Sequence, residues 1–315
     1  MDLLQGIFAN RNAVKYPGLV LAFLVLCLAS VTACHNPPAS EPHEPSRPSS
    51  PVASPRSSPL ACVRPVEIPL ELTSSGATTV FGEIHGTREA PELFGDVVCN
   101  VAAGPQPQRV LVGLELPSSE AAAIASFLAG AGNDALAGRA FWTQPFQSGR
   151  TSAAMLALLA ELRRIVRSTP RVEVFLFDIP DGTDPKARDA AMASAILEKR
   201  ATDRAALVLL YSGNVHARKT KGVPWDPTLE PMAYHLVAGG LKITSLNMRN
   251  PKGTAWICQT NDASSCGAVK IGGEEPSSGG SPRGIRLSGE LSADGYDGVY
   301  IVSSATASPP AMSVR

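Results

Sequence analysis

The stretch Val80-Phe81-Gly82-Glu83-Ile84-His85-Gly86-Thr87-Arg88-Glu89 decides how this chain is read. Thr79, Val80 and Phe81 run apolar or β-branched into a glycine, as a buried strand does near its end. A carboxylate and an imidazole then follow two residues apart, before a second glycine. In extended backbone, residues i and i+2 project to the same side, so Glu83 and His85 face one space. A loop-capping glutamate beside a satisfied core histidine has the same spelling. The choice between the two readings falls to the rest of the chain, where the arrangement recurs.

Residues 88–103 read as a helix, with Pro91 in the first turn and Gly104 at its end. Residues 109–115 (Arg-Val-Leu-Val-Gly-Leu-Glu) are a continuous apolar run of the kind buried in a parallel sheet, and it too stops on a carboxylate, Glu115. A second helix is predicted from Ser118 or Ser119 to Leu128. The clearest helix is 152–167, with Met155, Leu158, Leu159, Leu162, Ile165 and Val166 on one face at three- and four-residue steps. Residues 172–178 form a third strand, ending on Asp178. Asp184 and Pro185 supply an N-cap and a first-turn proline for a helix reaching Thr202. A fourth strand, 206–211, leads into Ser212-Gly213-Asn214-Val215-His216. A helix over 229–238 and a fifth strand over 241–246 complete the pattern.

Strands alternating with helices predict an α/β fold: a mostly parallel central sheet with helices on both faces. In such sheets ligands bind at the carboxyl ends of the strands, where Glu83, His85, Glu115, Asp178, Asn214 and His216 all fall. For Asp178 an ion pair with Arg88 or Arg188 is the plainer role. After Asn250, strand-like pieces at 254–258, 269–271 and 298–303 alternate with Gly/Ser/Pro loops. They predict a C-terminal antiparallel extension of the sheet stapled by a Cys258–Cys266 bridge, with a mobile run at 272–284.

The chain has 315 residues, 44% of them apolar, enough for a sizeable core. Its 28 basic side chains equal its 28 acidic ones, and without a basic run there is little to attract nucleic acid, so that class of partner is set aside. Arg11 and Lys15 precede an apolar run over 19–31 that is short for a membrane span but right for a secretory signal. It ends Val31-Thr32-Ala33-Cys34, similar to a bacterial lipoprotein signal. Residues 1–33 are read as the signal peptide, Cys34 as the fatty-acylated first residue of the mature protein, and the Pro/Ser-rich 34–61 as a disordered tether. The folded domain is read as 62–305 and the remainder, 306–315, as a flexible tail. The expected location is extracytoplasmic and lipid-anchored, with the outer membrane favoured because no aspartate follows Cys34. Four cysteines then remain, and they permit three pairings. The short turn-rich spacing from Cys258 to Cys266 favours a local bridge, leaving Cys62 with Cys99; close Cys-x-x-Cys pairs of the zinc-site kind are missing.

Five pieces in order, GEIHGT (82–87), LELP (114–117), RDAAMA (188–193), GNVHA (213–217) and PMAYHL (231–236), resemble the superfamily that groups ChaN-like haem-uptake lipoproteins, Tiki and TraB metalloprotease-like domains and erythromycin esterases. The resemblance covers roughly residues 78–247. It implies a central trio of His85, Glu115 and His216, with Glu83 as supporting acid and Arg188 as an orienting cation. The first motif has one residue fewer between Glu83 and His85 than the erythromycin esterase form.

Two kinds of function follow. The first is hydrolysis of a small-molecule or peptide ester or amide. His85, Glu115 and His216 would hold a divalent manganese, cobalt or zinc ion with Glu83 as base, or His85 would activate water directly, oriented by Glu83 or Glu115. A serine nucleophile is disfavoured, since no Gly-x-Ser-x-Gly elbow follows any strand. The second is binding of haem or an iron chelate. His85, His216, His235, Tyr211 and Tyr234 are the candidate ligands, Asn214 a further cofactor contact, and Phe141, Trp142 and Phe146 the wall. For His235 a buried structural place in its helix is the plainer role.

Overall fold

The computed structural model describes residues 60–312 except 148, 180–183, 185, 186, 251, 261 and 274–282. The signal peptide, Cys34, most of the tether, Pro185 and most of the 272–284 run therefore lie outside the described residues. Apolar runs become strands buried on both faces: β1 (Thr78–Glu83), β2 (Val110–Pro117) and β4 (Leu207–Gly213) are buried at every position. With β3 (Val172–Asp178), β5 (Thr244–Arg249), β8 (Gly284–Leu287) and β9 (Gly298–Ile301) they make a seven-stranded sheet in the order β3-β2-β4-β1-β5-β9-β8. Every neighbouring pair is parallel except β8 with β9.

Alternation along the strands sorts the core into two layers. Phe81, Val110, Val112, Leu114, Leu207, Leu209 and Tyr211 pack with α1 (Glu89–Ala103), α2 (Ala121–Ala129) and α5 (Ala153–Ser168). Val80, Leu111, Val208 and Leu210 pack on the other face with α6 (Arg188–Ala201) and α7 (Met232–Ala238). Two short helices, α3 (Asp134–Ala137) and α4 (Ala140–Thr143), lie between α2 and α5. Helix α5 starts where the sequence says it should: Ser152 is extended and its Oγ accepts the Met155 N–H, a cap worth about 1 kcal/mol. Each of Leu158, Leu159 and Leu162 is buried on this helix, and truncating one to alanine should cost about 2–5 kcal/mol.

The predicted fold class holds, and several boundaries move. Helix α7 begins at Met232, not 229, because Pro231 adopts extended backbone ahead of it. Helix α6 begins at Arg188 rather than just after Asp184. Strand β5 begins at Thr244 rather than 241. Both predicted disulfides are present, Cys62–Cys99 and Cys258–Cys266. The second does not staple the extension of the main sheet: it closes a separate antiparallel hairpin of β6 (Gly253–Cys258) and β7 (Cys266–Ile271), where the two cysteines are register partners. The antiparallel extension is instead β8, which sequence reading missed.

The segment read as a flexible tail is packed as far as it is described. Ala307 bridges Thr87, Pro310 bridges Ser152, and Ser308 is buried with its Oγ accepting the Ala154 N–H at the start of α5. The Thr306 N–H and Ser304 hydroxyl both donate to the buried carboxylate of Glu89. Backbone and carboxylate hydrogen bonds hold this strap together with the packing of Ala311 and Met312 on the core, and so few apolar residues leave little sign in the hydropathy. Among the described residues no helix is long and apolar enough to cross a membrane.

Candidate active site at the carboxyl edge of the sheet

Glu83 ends β1 opposite Gly213 of β4 and is 2% exposed. A carboxylate that deep needs all its lone pairs used. One oxygen, Oε2, accepts the hydroxyl of buried Tyr211 at 2.6 Å; the other, Oε1, lies 2.8 Å from His85 Nδ1. An ionised carboxylate only accepts, so Nδ1 carries the proton and Nε2 is the working nitrogen of His85. The His85 side chain is 29% exposed. The turn that presents it requires glycine. Gly86 has φ 81°, and a Cβ there would meet the Trp256 carbonyl oxygen at 2.2 Å. The Gly86 carbonyl is gripped twice, by the N–H of Trp256 at 2.9 Å and that of Ser308 at 2.8 Å.

Glu115, on β2, lies between the two imidazoles. Its Oε2 accepts the Gly213 N–H at 2.6 Å and stands 3.6 Å from His85 Nε2. Its Oε1 accepts from Arg188 Nη2 at 2.6 Å and stands 3.7 Å from His216 Nε2. A Cβ on Gly213 would sit 2.9 Å from His85 Nε2 and would displace the ring. On the far side, His216 Nδ1 lies 2.7 Å from Asp189 Oδ1, and Arg188 Nη1 approaches Nε2 at 2.8 Å. The His216 ring is held between the Arg188 guanidinium at Nε2 and the Asp189 carboxylate at Nδ1. Each histidine is thus backed by its own acid, with Glu115 between them.

The cations are placed just as closely. Arg188, the first residue of α6, grips Asp178 through Nε at 2.9 Å and Nη2 at 2.8 Å while reaching Glu115 and His216, so all three of its nitrogens are committed. Arg150, in the 3-10 turn Gly149–Thr151, donates through Nη1 to Asp178 at 2.5 Å and lies 3.9 Å from Glu115. Burial opposes charge on His85, but Glu115 and Glu83 outweigh it and raise the ring from 6.5 to about 9. Burial also works against ionised Glu115, yet His216, His85 and Arg188 hold it well below the usual carboxylate range.

The structure brings Glu83, His85, Glu115, Arg188 and His216 into one network of contacts. Asp178 pairs with Arg188, as its plainer reading had it, and pairs with Arg150 as well. Asp189, which follows Arg188 in the RDAAMA piece, joins the same network from the first turn of α6, a role its spacing alone does not announce. Arg150 had no signal at all, coming from a loop well away from any motif.

A divalent ion does not fit these residues. The space it would need beside Glu115 and His216 is filled by the Arg188 guanidinium, which donates to both, and among the described residues no three His, Cys, Asp or Glu side chains form a metal-holding group. Three of the haem candidates are taken up elsewhere. Tyr211 spends its hydroxyl on Glu83 with its ring buried, and Phe141 and Trp142 belong to the core. Asn214 contributes backbone, its N–H donating to the Glu83 carbonyl and its carbonyl accepting the Tyr296 hydroxyl. His235 is not buried as expected: it is partly exposed on α7, near Glu230 at 3.8 Å, with its ring against Tyr234.

No family model and no curated protein matches the sequence. Among solved structures, the chain is similar to a histidine-to-asparagine mutant of the erythromycin esterase EreC in its open conformation. The TM-score is 0.55 at 10% identity, covering 73% of this chain and 91% of that one. It also matches a protein of Bacillus cereus (TM-score 0.45, 13% identity, 76% and 91% covered) and the type III effector HopBA1 (TM-score 0.35, 19% identity, 63% and 88% covered). The first of these likenesses carries the conclusion that the fold is erythromycin esterase-like.

Proposed function

We propose that this chain is an exported, lipid-anchored hydrolase of a small-molecule or peptide ester or amide, working with the Glu83–His85 pair as general base and without a metal. The observation that supports it is the geometry at His85. Its Nδ1 is fixed on a buried carboxylate at 2.8 Å while Nε2 is presented beside a second carboxylate, with a quarter of the side chain open to solvent. That is the base-plus-orienter arrangement that water activation needs.

Neutral His85 takes a proton from water through Nε2 as the water oxygen attacks the substrate carbonyl carbon. The carbonyl electron pair moves onto oxygen, and Glu83 and Glu115 stabilise the imidazolium that forms. When the tetrahedral intermediate collapses, the pair returns to remake the carbonyl, the bond to the leaving oxygen or nitrogen breaks, and the proton passes from Nε2 to the leaving group. Arg188, Asp178, His216 and Asp189 hold Glu115 in place. The erythromycin esterase-like fold supports the reaction class and leaves the substrate open.

The test is to assay the full chain in detergent against a panel of p-nitrophenyl esters, lactones and anilides. The wild type should cleave at least one, and His85→Ala should lose activity by about 10²–10⁴-fold. A wild type inert toward all three classes, or a His85→Ala variant as active as the wild type, rejects the reading.

A further inference from the structure

The hydrolysis proposed above places negative charge on the substrate's carbonyl oxygen, and some donor must receive it. Four backbone amides beside the site are already spent: Gly213 N–H on Glu115, Asn214 N–H on the Glu83 carbonyl, His216 N–H on the Gly213 carbonyl and Ala217 N–H on the Asn214 carbonyl. Arg188 commits four of its five N–H groups to Asp178, Glu115 and His216. Arg150 differs. Its Nη1 is anchored on Asp178 and its guanidinium lies 5.7 Å over the Phe141 ring, which restrains the plane from two sides, while Nε and Nη2 make no hydrogen bond to any described residue. The Arg150 side chain is 22% exposed.

Arg150 and His85 are also joined through the backbone. Gly149 precedes Arg150 and Gly86 follows His85, and the two glycines touch so closely that a Cβ on Gly149 would fall 1.9 Å from Gly86 N and 2.5 Å from the His85 carbonyl carbon. The base and the Arg150 guanidinium therefore flank one glycine-to-glycine contact, and His85 Nε2 and the anchored Arg150 Nη1 both approach Glu115, at 3.6 and 3.9 Å. From these positions we infer that Arg150 is the oxyanion donor of the site, a further catalytic residue whose Nε and Nη2 take the carbonyl oxygen as His85 directs water at the carbon. The inference rests on the hydrolase reading and narrows its substrate to one whose scissile carbonyl is uncharged in the ground state, with the anion appearing only as the water adds. The electron pair that leaves the carbonyl bond is held by the two N–H groups and returns when the leaving group departs, so Arg150 gains and loses no proton.

The test uses full-length protein and the best p-nitrophenyl ester of the panel. Arg150→Ala should lower kcat by about 10²–10³-fold with KM nearly unchanged, the size of effect seen when one oxyanion donor is removed. Added guanidinium ion should restore part of that kcat. Arg150→Lys preserves a cation for Asp178 but lacks the two-nitrogen edge, so it should remain impaired and separate a lost donor from a lost ion pair. A phosphonate analogue of the ester, a stable tetrahedral anion, should bind the wild type by calorimetry and bind Arg150→Ala more weakly by the factor lost in kcat. Full kcat in Arg150→Lys, an unweakened phosphonate, or a folded Arg150→Ala that guanidinium fails to rescue overturns the assignment. If the wild type cleaves and His85→Ala does not while the Arg150 variants keep kcat, this inference fails and the hydrolase reading stands. If the wild type cleaves nothing, both fall together.

Discussion

At His85 two carboxylates compete with burial for the proton on one ring, and the carboxylates win, which raises the ring to about 9. A base held protonated at neutral pH works through its small neutral fraction. Activity should therefore climb about tenfold per pH unit and level off near 9. Glu115 is the strongest of the groups favouring the charged ring, so Glu115→Gln should shift the rise toward lower pH, as read from log(kcat/KM) against pH; an inflection that does not move counts against this picture. The stability sign follows from the same shift. The folded ring titrates above its ordinary 6.5, so the stabilisation from its charge is complete below about 6.5 and is lost as pH rises through about 9. Much of this centre was legible in the chain, because Glu83, His85, Glu115 and His216 all lie at or close to the ends of apolar strands, and strand ends can be read from hydropathy. Arg150 was not. It enters through a loop whose position depends on Gly149 meeting Gly86, a contact between residues 63 apart in sequence that no local pattern records.

Among the elements, the two bridged ones have different work to do. Cys62–Cys99 fastens the start of the domain to α1, remote from the chemistry, and closes a span of 37 residues, a constraint of about 4 kcal/mol on the unfolded chain. Cys258–Cys266 closes only 8 residues, about 2.5 kcal/mol, but its hairpin carries Trp256, whose N–H holds the Gly86 carbonyl. The Cys62→Ser/Cys99→Ser variant should lose several degrees in thermal denaturation and keep its kcat. The Cys258→Ser/Cys266→Ser variant should lose less stability and more kcat. Equal kcat in the two would show that the hairpin does not hold the His85 turn. The hairpin also marks where sequence reading stopped short. The 254–258 and 269–271 pieces were recognisable as strands and the cysteines as partners. Which sheet those strands joined was decided by pairing over long distances, and β8, four residues beside glycine- and serine-rich stretches, left no periodicity to find. Helix α5, with its cap and clean apolar face, needed no such information and appears within a residue of its expected limits.

For the whole molecule, two disulfides in the described residues fit an oxidising compartment and so an extracytoplasmic location. The anchor at Cys34 is a proposal with a direct test. Expressed in a bacterial host, the wild type should label with a palmitate analogue and sediment with membranes, whereas Cys34→Ser should do neither. A Cys34→Ser protein that still labels would place the acyl group elsewhere. Anchoring leaves the catalytic centre untouched, so the hydrolase and lipoprotein proposals stand or fall separately.

The double grip on the Gly86 carbonyl has a consequence in time. One hand is Trp256 and the other Ser308, so the turn bearing His85, made early in synthesis, waits for segments about 170 and 220 residues later before it can take its working shape. A partly synthesised chain has no assembled centre, so under the proposed hydrolase reading no activity appears until the last part of the domain has closed over the first.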